Sequence, residues 1–347
     1  MTRGAIRASS ILPRYTARSV SFCSDSSQGA RSSSAIRLAV VLLVISVITG
    51  SSASAQTIEE VGTRAQGMGG AFVAVANDST ATWWNPAGMA AAPFVDVTGG
   101  IGRPTDGTSW GIAVATPVLG ASFYRLQSPG TQIPAPTAGP GGDRQERRVE
   151  LPPRSLRIGQ FGATLAHSVF SRLHVGTTIK VVHGFPEADV VDESGETHPD
   201  VDVGGLGIVG PVRIGVVARN LAAPVVIRAA GREVRLDRQV RVGAAFDGAL
   251  RPVDRTVPLV VSFDADVMSY DTIRGPRRVI AAGVERWFAE KRFGARAGVR
   301  FNQVGEQEHA VSAGASYRLV SLVSAEGFVT TGSRPERAWG VSVHASY

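Results

Sequence analysis

The 347-residue sequence is short of the residues that staple or ligate: it has one cysteine, Cys23, and only five tryptophans and five tyrosines. Cys23 falls in a segment that reads as a removable leader, so the exported chain is expected to carry no thiol. That excludes disulfides, thiol-bound metals and a lipid anchor through cysteine. No apolar run reaches the roughly 20 residues that a membrane-spanning helix needs. The six histidines, His167, His174, His183, His198, His309 and His344, are scattered over separate segments. None has zinc-site spacing and none stands in a recognisable triad motif; a hydrolase assembled from separate strands stays open as an alternative. The acidic stretch "PEADVVDESGETHPDVD" (186–202) lacks the Asp-x-Asp-x-Asp-Gly order of a calcium loop. It reads as a solvated outer loop, with loose divalent-ion binding the lesser alternative. Basic patches interleaved with aromatics are missing, which argues against a nucleic-acid partner. No motif calls for a cofactor.

What is present begins with the leader. Residues 1–37 carry six arginines, one acid (Asp25) and many serines, followed by "LAVVLLVISVI" (38–48) and "TGSSASAQ". That order of basic region, short apolar run and small-residue site predicts a secretory signal cleaved after Ala55. An uncleaved anchor is the weaker alternative, because the apolar run is about half the spanning length. The basic region is long for a signal, which fits either an extended leader or a misassigned start. Six of the 36 basic residues and one of the 29 acidic ones precede residue 56, leaving 30 against 28. The basic character therefore belongs partly to the leader and says little about partners.

Beyond Ala90 the chain alternates with period two, in segments of about ten residues broken by Gly, Pro, Asp and Asn. In "RFGARAGVRF" (292–301), Phe293, Ala295, Ala297, Val299 and Phe301 share one face, and Arg292, Gly294, Arg296, Gly298 and Arg300 the other. Candidate strands fall at 93–103, 107–116, 119–127, 155–167, 171–183, 201–209, 211–219, 238–248, 257–268, 277–288, 291–302, 308–317, 319–330 and 336–347, about fourteen in all. The glycine-rich 201–209 is the weakest. An even count fits a bacterial outer-membrane barrel, as does the alternation of long connections (128–154, 184–200, 220–237) with short ones (117–120, 210–211, 289–290). The connection at 249–256 is longer than that scheme wants.

A spanning sheet with no free edge satisfies its backbone in lipid, so the expected fold is all-β: a transmembrane antiparallel β-barrel with a small N-terminal plug. Its expected parts are a leader (1–55), a plug (56–92) and a barrel (93–347). Apolar faces meet lipid, and Asp264, Asp266, Glu285, Arg296 and Arg300 gather inside as a structural charge network, or, less favoured, a solute-selecting patch. Trp339, Val341, Val343, Ala345 and Tyr347 alternate up to the last residue and are expected to signal insertion to the barrel-assembly machinery. The expected location is the Gram-negative outer membrane, crossed many times. The alternative is an amphipathic strand in a soluble exported sandwich.

The stretch "GTRAQGMGGAFVAVANDSTATWWNPAGMA" (62–90) has no counterpart elsewhere in the chain. Gly67, Gly69 and Gly70, with Met68 between them, permit tight backbone approach and positive φ. Asp78 or Ser79 is placed to cap a short helix over "STATWW", which Asn85-Pro86 ends. Trp83 and Trp84 then anchor it against a wall. This segment, through its Met-Gly-Gly-Ala-Phe run and the Asn85-Pro86-Ala87-Gly88 ending, resembles the N-terminal segment of the FadL-type outer-membrane family. That family comprises the long-chain fatty acid transport proteins and their PorV/PorQ-type relatives. The resemblance implies a plug folded into the barrel and passage of a hydrophobic small molecule. Some 292 residues after the leader, with small outer loops, are fewer than such transporters suggest. That moves weight towards the alternative, a non-transporting PorV/PorQ-type relative that serves a secreted or surface protein, while passage of a hydrophobic small molecule stays the expected function.

Overall fold

The computed structural model describes residues 61–104, 107–128, 156–185, 193–229, 232–248, 259–272, 275–305, 307–333 and 337–347. The expected leader, the first residues of the expected plug, and most of the connections at 128–154 and 249–256 lie outside them.

Fourteen strands close into one antiparallel barrel. In chain order they are β1 (Asp96–Arg103), β2 (Ser109–Ala115), β3 (Leu119–Ser128), β4 (Leu156–Phe170), β5 (Leu173–Phe185), β7 (Thr197–Val209), β8 (Val212–Arg219), β11 (Gln239–Asp247), β12 (Leu259–Asp266), β15 (Val279–Phe288), β16 (Phe293–Asn302), β17 (His309–Val320), β18 (Val323–Gly332) and β19 (Arg337–Ser346). Each pairs with its neighbour, and β1 pairs with β19 from Asp96↔Ser346 to Arg103↔Trp339 to close the ring. Closure leaves no strand edge to be satisfied by water that a bilayer lacks. The alternation read from the sequence is the wall: β16 buries Gly294, Arg296, Gly298, Arg300 and Asn302 and turns Phe293, Ala295, Ala297 and Phe301 outward. Outward positions around the ring are large and apolar, among them Ile112, Phe161, Ile179, Ile214, Phe263 and Val329. No helix of the described residues is long and apolar enough to cross a membrane; the strands are the spanning elements.

Tight connections such as Ser171–Arg172, Gly210–Pro211 and Ser321–Leu322 gather at one end, the polarity of outer-membrane barrels, with the long step from Asp247 to Leu259 the exception at that end. The longer connections hold structure that the sequence does not advertise. β6 (Glu193–Gly195), β9 (Val225–Ala229) and β10 (Arg232–Arg235) form a three-stranded sheet, and β13 (Tyr270–Thr272) with β14 (Gly275–Arg277) a hairpin. β7 also starts earlier than its glycines suggest. It takes Asp200 and Asp202 out of the expected solvated loop and buries them against Lys180, whose Nζ lies 3.2 Å from Asp200 and 2.7 Å from Asp202. The period-two register decides this: Asp200 and Asp202 share parity with Gly204, which faces the lumen.

Candidate functional site: the plugged lumen

Residues 61–92 fill the barrel. They form helix α1 (Thr63–Gly67), helix α2 (Ala81–Trp84) and a 3-10 turn (Pro86–Ala91), joined by irregular chain. α2 is shorter than the expected "STATWW" helix. Its N-cap is Thr80, with no side-chain cap, while Asp78 Oδ1 accepts instead from the Thr80 N–H at 3.0 Å. Pro86 both ends α2 and opens the 3-10 turn, where its missing N–H costs nothing. Asn85 caps that turn, its Oδ1 accepting from Ala87 N–H.

The lumenal wall is shaped to the plug by glycine. Gly283 and Gly298 are register partners on β15 and β16, and a Cβ on either would strike the backbone of Met68. Gly176 and Gly204, partners on β5 and β7, lie equally close to the Asn85–Ala87 turn, and Gly215 of β8 to Val73. Glycine in a strand interior weakens the strand, so its return here is backbone-to-backbone approach. On the plug side Gly69 and Gly70 take φ of +68° and +84°, a conformation other residues rarely hold.

Inside that seat is an apolar core. Phe72 meets Trp84 edge to face at 6.1 Å between centroids, and Trp83 meets Tyr124 of β3 at 5.8 Å. Trp83 therefore meets an aromatic of the wall, while Trp84 packs on the plug's own Phe72 and reaches the wall through Arg219 of β8, which lies 5.6 Å over its ring. Trp84 faces the plug's own centre and donates from Nε1 to the Val61 carbonyl at 2.9 Å. Asn85 Nδ2 donates to Val73 O and Gly205 O, joining the two halves of the plug to β7.

Charge fixes the remainder. Arg64 on α1 donates to both Glu285 oxygens at 2.8 and 2.9 Å and to Asp78 at 3.1 Å. Burial opposes its charge, yet the Glu285 and Asp78 carboxylates hold its pKa above the ordinary arginine value. Glu285 also pairs with Arg296 at 2.7 Å, which reaches Glu326 at 3.2 Å, and Glu326 accepts from Thr63 at 3.0 Å. Asp264 accepts the N–H groups of Phe72 and Val73 at 2.7 and 2.8 Å. Asp96 accepts from Ser79 N–H at 2.7 Å and lies 2.6 Å from His344 Nε2. Asp266 pairs instead with Arg241 at 2.6 Å, and Arg300 approaches Gln66 at 3.5 Å.

All five residues expected to form one lumenal network face inward. Glu285 and Arg296 pair with each other, while Asp264 and Arg300 contact the plug directly. Of the partners that sequence reading missed, Asp96 and Glu326 have only lumenal parity as a signal, and Arg64, inside the plug stretch, is marked out by nothing but its charge. Of the expected insertion signal, Trp339, Val341 and Val343 point outward, and the Tyr347 backbone exchanges hydrogen bonds with Val95 at 2.8 and 3.1 Å.

A cavity of about 40 Å³ remains beside the first residues of the plug, lined by Val61, Gly62, Thr63, Tyr124, Leu126 and Phe328 among others. Among the described residues no group of His, Cys, Asp or Glu is arranged to hold a metal ion. The arrangement sheathes an apolar, clamped segment inside a ring, with its free space at the segment's N-terminal end.

No protein-family model matches the chain, and neither does any curated protein. Solved structures do. The CymD monoaromatic hydrocarbon channel aligns over 84% of this chain and 99% of its own, with a TM-score of 0.57 at 12% identity. The toluene transporter TbuX of Ralstonia pickettii aligns over the same shares, with a TM-score of 0.56 at 12% identity. A FadL homologue of Pseudomonas aeruginosa covers 82% of this chain and 98% of its own, with a TM-score of 0.50 at 13% identity. At such identities the likeness is one of fold: this chain is a closed fourteen-stranded antiparallel barrel with an apolar outer wall and a filled lumen, similar in fold to FadL-type outer-membrane barrels.

Proposed function

We propose that the protein passes hydrophobic small molecules across the outer membrane, with the N-terminal end of the plug as the part that yields. The observation that carries this is the apolar cavity between Val61–Thr63 and the β1–β3 wall. It adjoins the plug's aromatic core and Val61, whose carbonyl takes one side-chain bond from Trp84, while Thr63 beside it is held by Glu326 and Ser342. At about 40 Å³ it is smaller than the roughly 150 Å³ that accommodates a benzene ring. Passage therefore requires residues 61–63 to shift and the Thr63 bonds to open, and the charged clamp on Arg64 keeps that shift from extending further into the plug. The channels of similar fold carry monoaromatic hydrocarbons or toluene by name, which makes compounds of that class the first to try, ahead of fatty acids.

The test is uptake of labelled toluene and of a long-chain fatty acid by cells lacking the protein and by complemented cells. Loss of either uptake on deletion, restored by the intact gene, supports the reading; unchanged uptake of both sinks it. A second reading is a non-transporting partner of a secreted or surface protein, favoured by how little of the lumen is open. It predicts unchanged uptake together with a stoichiometric protein in detergent extracts of the outer membrane.

A further inference from the structure

In the described barrel strands every aspartate, glutamate and lysine faces the lumen, and the charged residues on the outward face are all arginines: Arg103, Arg125, Arg157, Arg286 and Arg337. Arg286 lies toward the tight-turn end, over the Phe288 ring. The other four lie toward the long-loop end, and all within one sector, on β19, β1, β3 and β4; the strands from β5 round to β18 carry none there. Register places them together. Arg103 pairs with Trp339, two residues along from Arg337. Arg125 pairs with Trp110, and Arg157 with Gln127, two residues beyond Arg125. The Arg125 guanidinium stacks over Phe185 at 4.6 Å, and Phe185 is itself the register partner of Arg157.

Among the described residues Arg103, Arg125 and Arg157 meet no carboxylate. Exposed arginines of the loop sheet behave otherwise, Arg228 and Arg235 both pairing with Glu233. A lone outward arginine at the rim of an apolar belt is explained by its head reaching water. Four in one sector, interleaved with Trp110 and Trp339 at interfacial height, make a concentrated positive field facing the leaflet.

Below the Arg337–Arg103 end of the arc the wall is hollow. A groove of about 700 Å³ runs over β17, β18, β19 and β1, where Gly99, Ala315, Ala325 and Gly327 leave room between Ile101, Val341 and Val343. A Cβ placed on Gly99 would meet nothing within 4 Å. Ile101 lies two residues below Arg103 on the same face, so groove and arc are continuous.

We propose that this sector binds a phosphorylated lipid of the leaflet at the long-loop end, with its phosphate on the Arg103–Arg125–Arg157–Arg337 arc and an acyl chain in the groove. Guanidinium forks match phosphate oxygens, and polybasic surfaces draw anionic headgroups. The site depends on the barrel wall and not on what the lumen passes.

The test uses full-length protein extracted in neutral detergent, with the thermal midpoint of its heat-modifiable gel band as readout. Bisphosphorylated lipid A is the probe, against diacylglycerol of similar chain length and against inorganic phosphate. Lipid A is expected to raise the midpoint by about 2–4 °C or more, and the two controls to leave it in place. R103Q/R125Q/R157Q is expected to abolish the rise, G99L to reduce it by filling the groove, and R286Q to retain it. An equal rise in the triple variant, or with diacylglycerol or inorganic phosphate, overturns the proposal. Should the triple variant fail to insert, R103Q and R157Q singly replace it, and a full rise in both has the same force.

Discussion

Arg64 grips Glu285 with two hydrogen bonds, at 2.8 and 2.9 Å, reaching from the plug's first helix to strand β15. Glu285 is shared, since Arg296 holds the same carboxylate at 2.7 Å. The two ends of the contact are therefore unequal. Arg64→Ala leaves Glu285 paired with Arg296, whereas Glu285→Ala takes the closest carboxylate from two guanidinium groups at once, leaving Arg64 with Asp78 and Arg296 with Glu326. Removing one partner of a buried pair costs about 3–5 kcal/mol when a charge is left uncompensated. Because Asp78 and Glu326 keep part of that compensation, we expect Glu285→Ala to lower stability by less than that full amount, and Arg64→Ala by less again. Denaturant midpoints of the detergent-folded proteins compare the two, and equal losses would refute the shared clamp.

Gly298 and Gly99 are both strand glycines with opposite surroundings. A Cβ on Gly298 runs into the backbone of Met68 and Gly69, while one on Gly99 meets open space on the outward wall. Overpacking a close contact costs typically about 1–3 kcal/mol, and more when the obstacle is backbone with no rotamer to change. Gly298→Ala should destabilise by at least that much and make the plug accessible to added protease. Gly99→Ala should be neutral in both assays. Similar behaviour of the two variants would mean that the plug does not rest on the β15–β16 glycines.

Trp84 couples the plug's aromatic core to its N-terminal end. Its ring packs on Phe72 and its Nε1–H bonds the Val61 carbonyl. Trp84→Phe keeps most of the buried ring and gives up one hydrogen bond, a loss of about 1 kcal/mol. Trp84→Ala removes the ring as well, at about 3–5 kcal/mol. If residues 61–63 are the yielding part, Trp84→Phe should raise the initial rate of uptake with little change in folded yield. A reduced or unchanged rate in a normally folded Trp84→Phe protein argues against movement at this end.

The wall was the legible part of this molecule. A period of two survives wherever one face meets lipid, because every second residue must be apolar, and β16 states this with Phe293 to Phe301 against Arg296 and Gly298. The weak point, 201–209, was weak because Gly204, Gly205 and Gly207 carry no side chain to reveal a face. Gly204 is glycine because Asn85 and Pro86 press on it, a cause that lies more than a hundred residues away. The site was legible only as a segment. "WWNPAG" announced a rigid turn, but nothing local distinguishes Trp83, which packs on Tyr124 of the wall, from Trp84, which packs on the plug's own Phe72. Arg64, Asp96 and Glu326 were unreadable for the same reason: their partners are fixed by closure of the ring. The small sheet of β6, β9 and β10 escaped notice because runs of three to five residues are too short to show a period.

Tyr347 contributes to the closing seam in two separable ways. Its backbone exchanges hydrogen bonds with Val95, extending the β1–β19 ladder one step beyond Asp96↔Ser346. Its ring is exposed at the tight-turn end and packs on little. If the ring is read by the insertion machinery, Tyr347→Ala should insert poorly while whatever does insert melts at the wild-type midpoint, since both seam bonds remain. Deleting Tyr347 should lower both quantities, because the bonds go with the ring. The inserted fraction is measured as heat-modifiable band in washed outer membranes, and stability as the midpoint of that band's conversion. Normal insertion of Tyr347→Ala would reassign the residue to the seam alone, and a lowered midpoint in that variant would show that the exposed ring contributes packing after all.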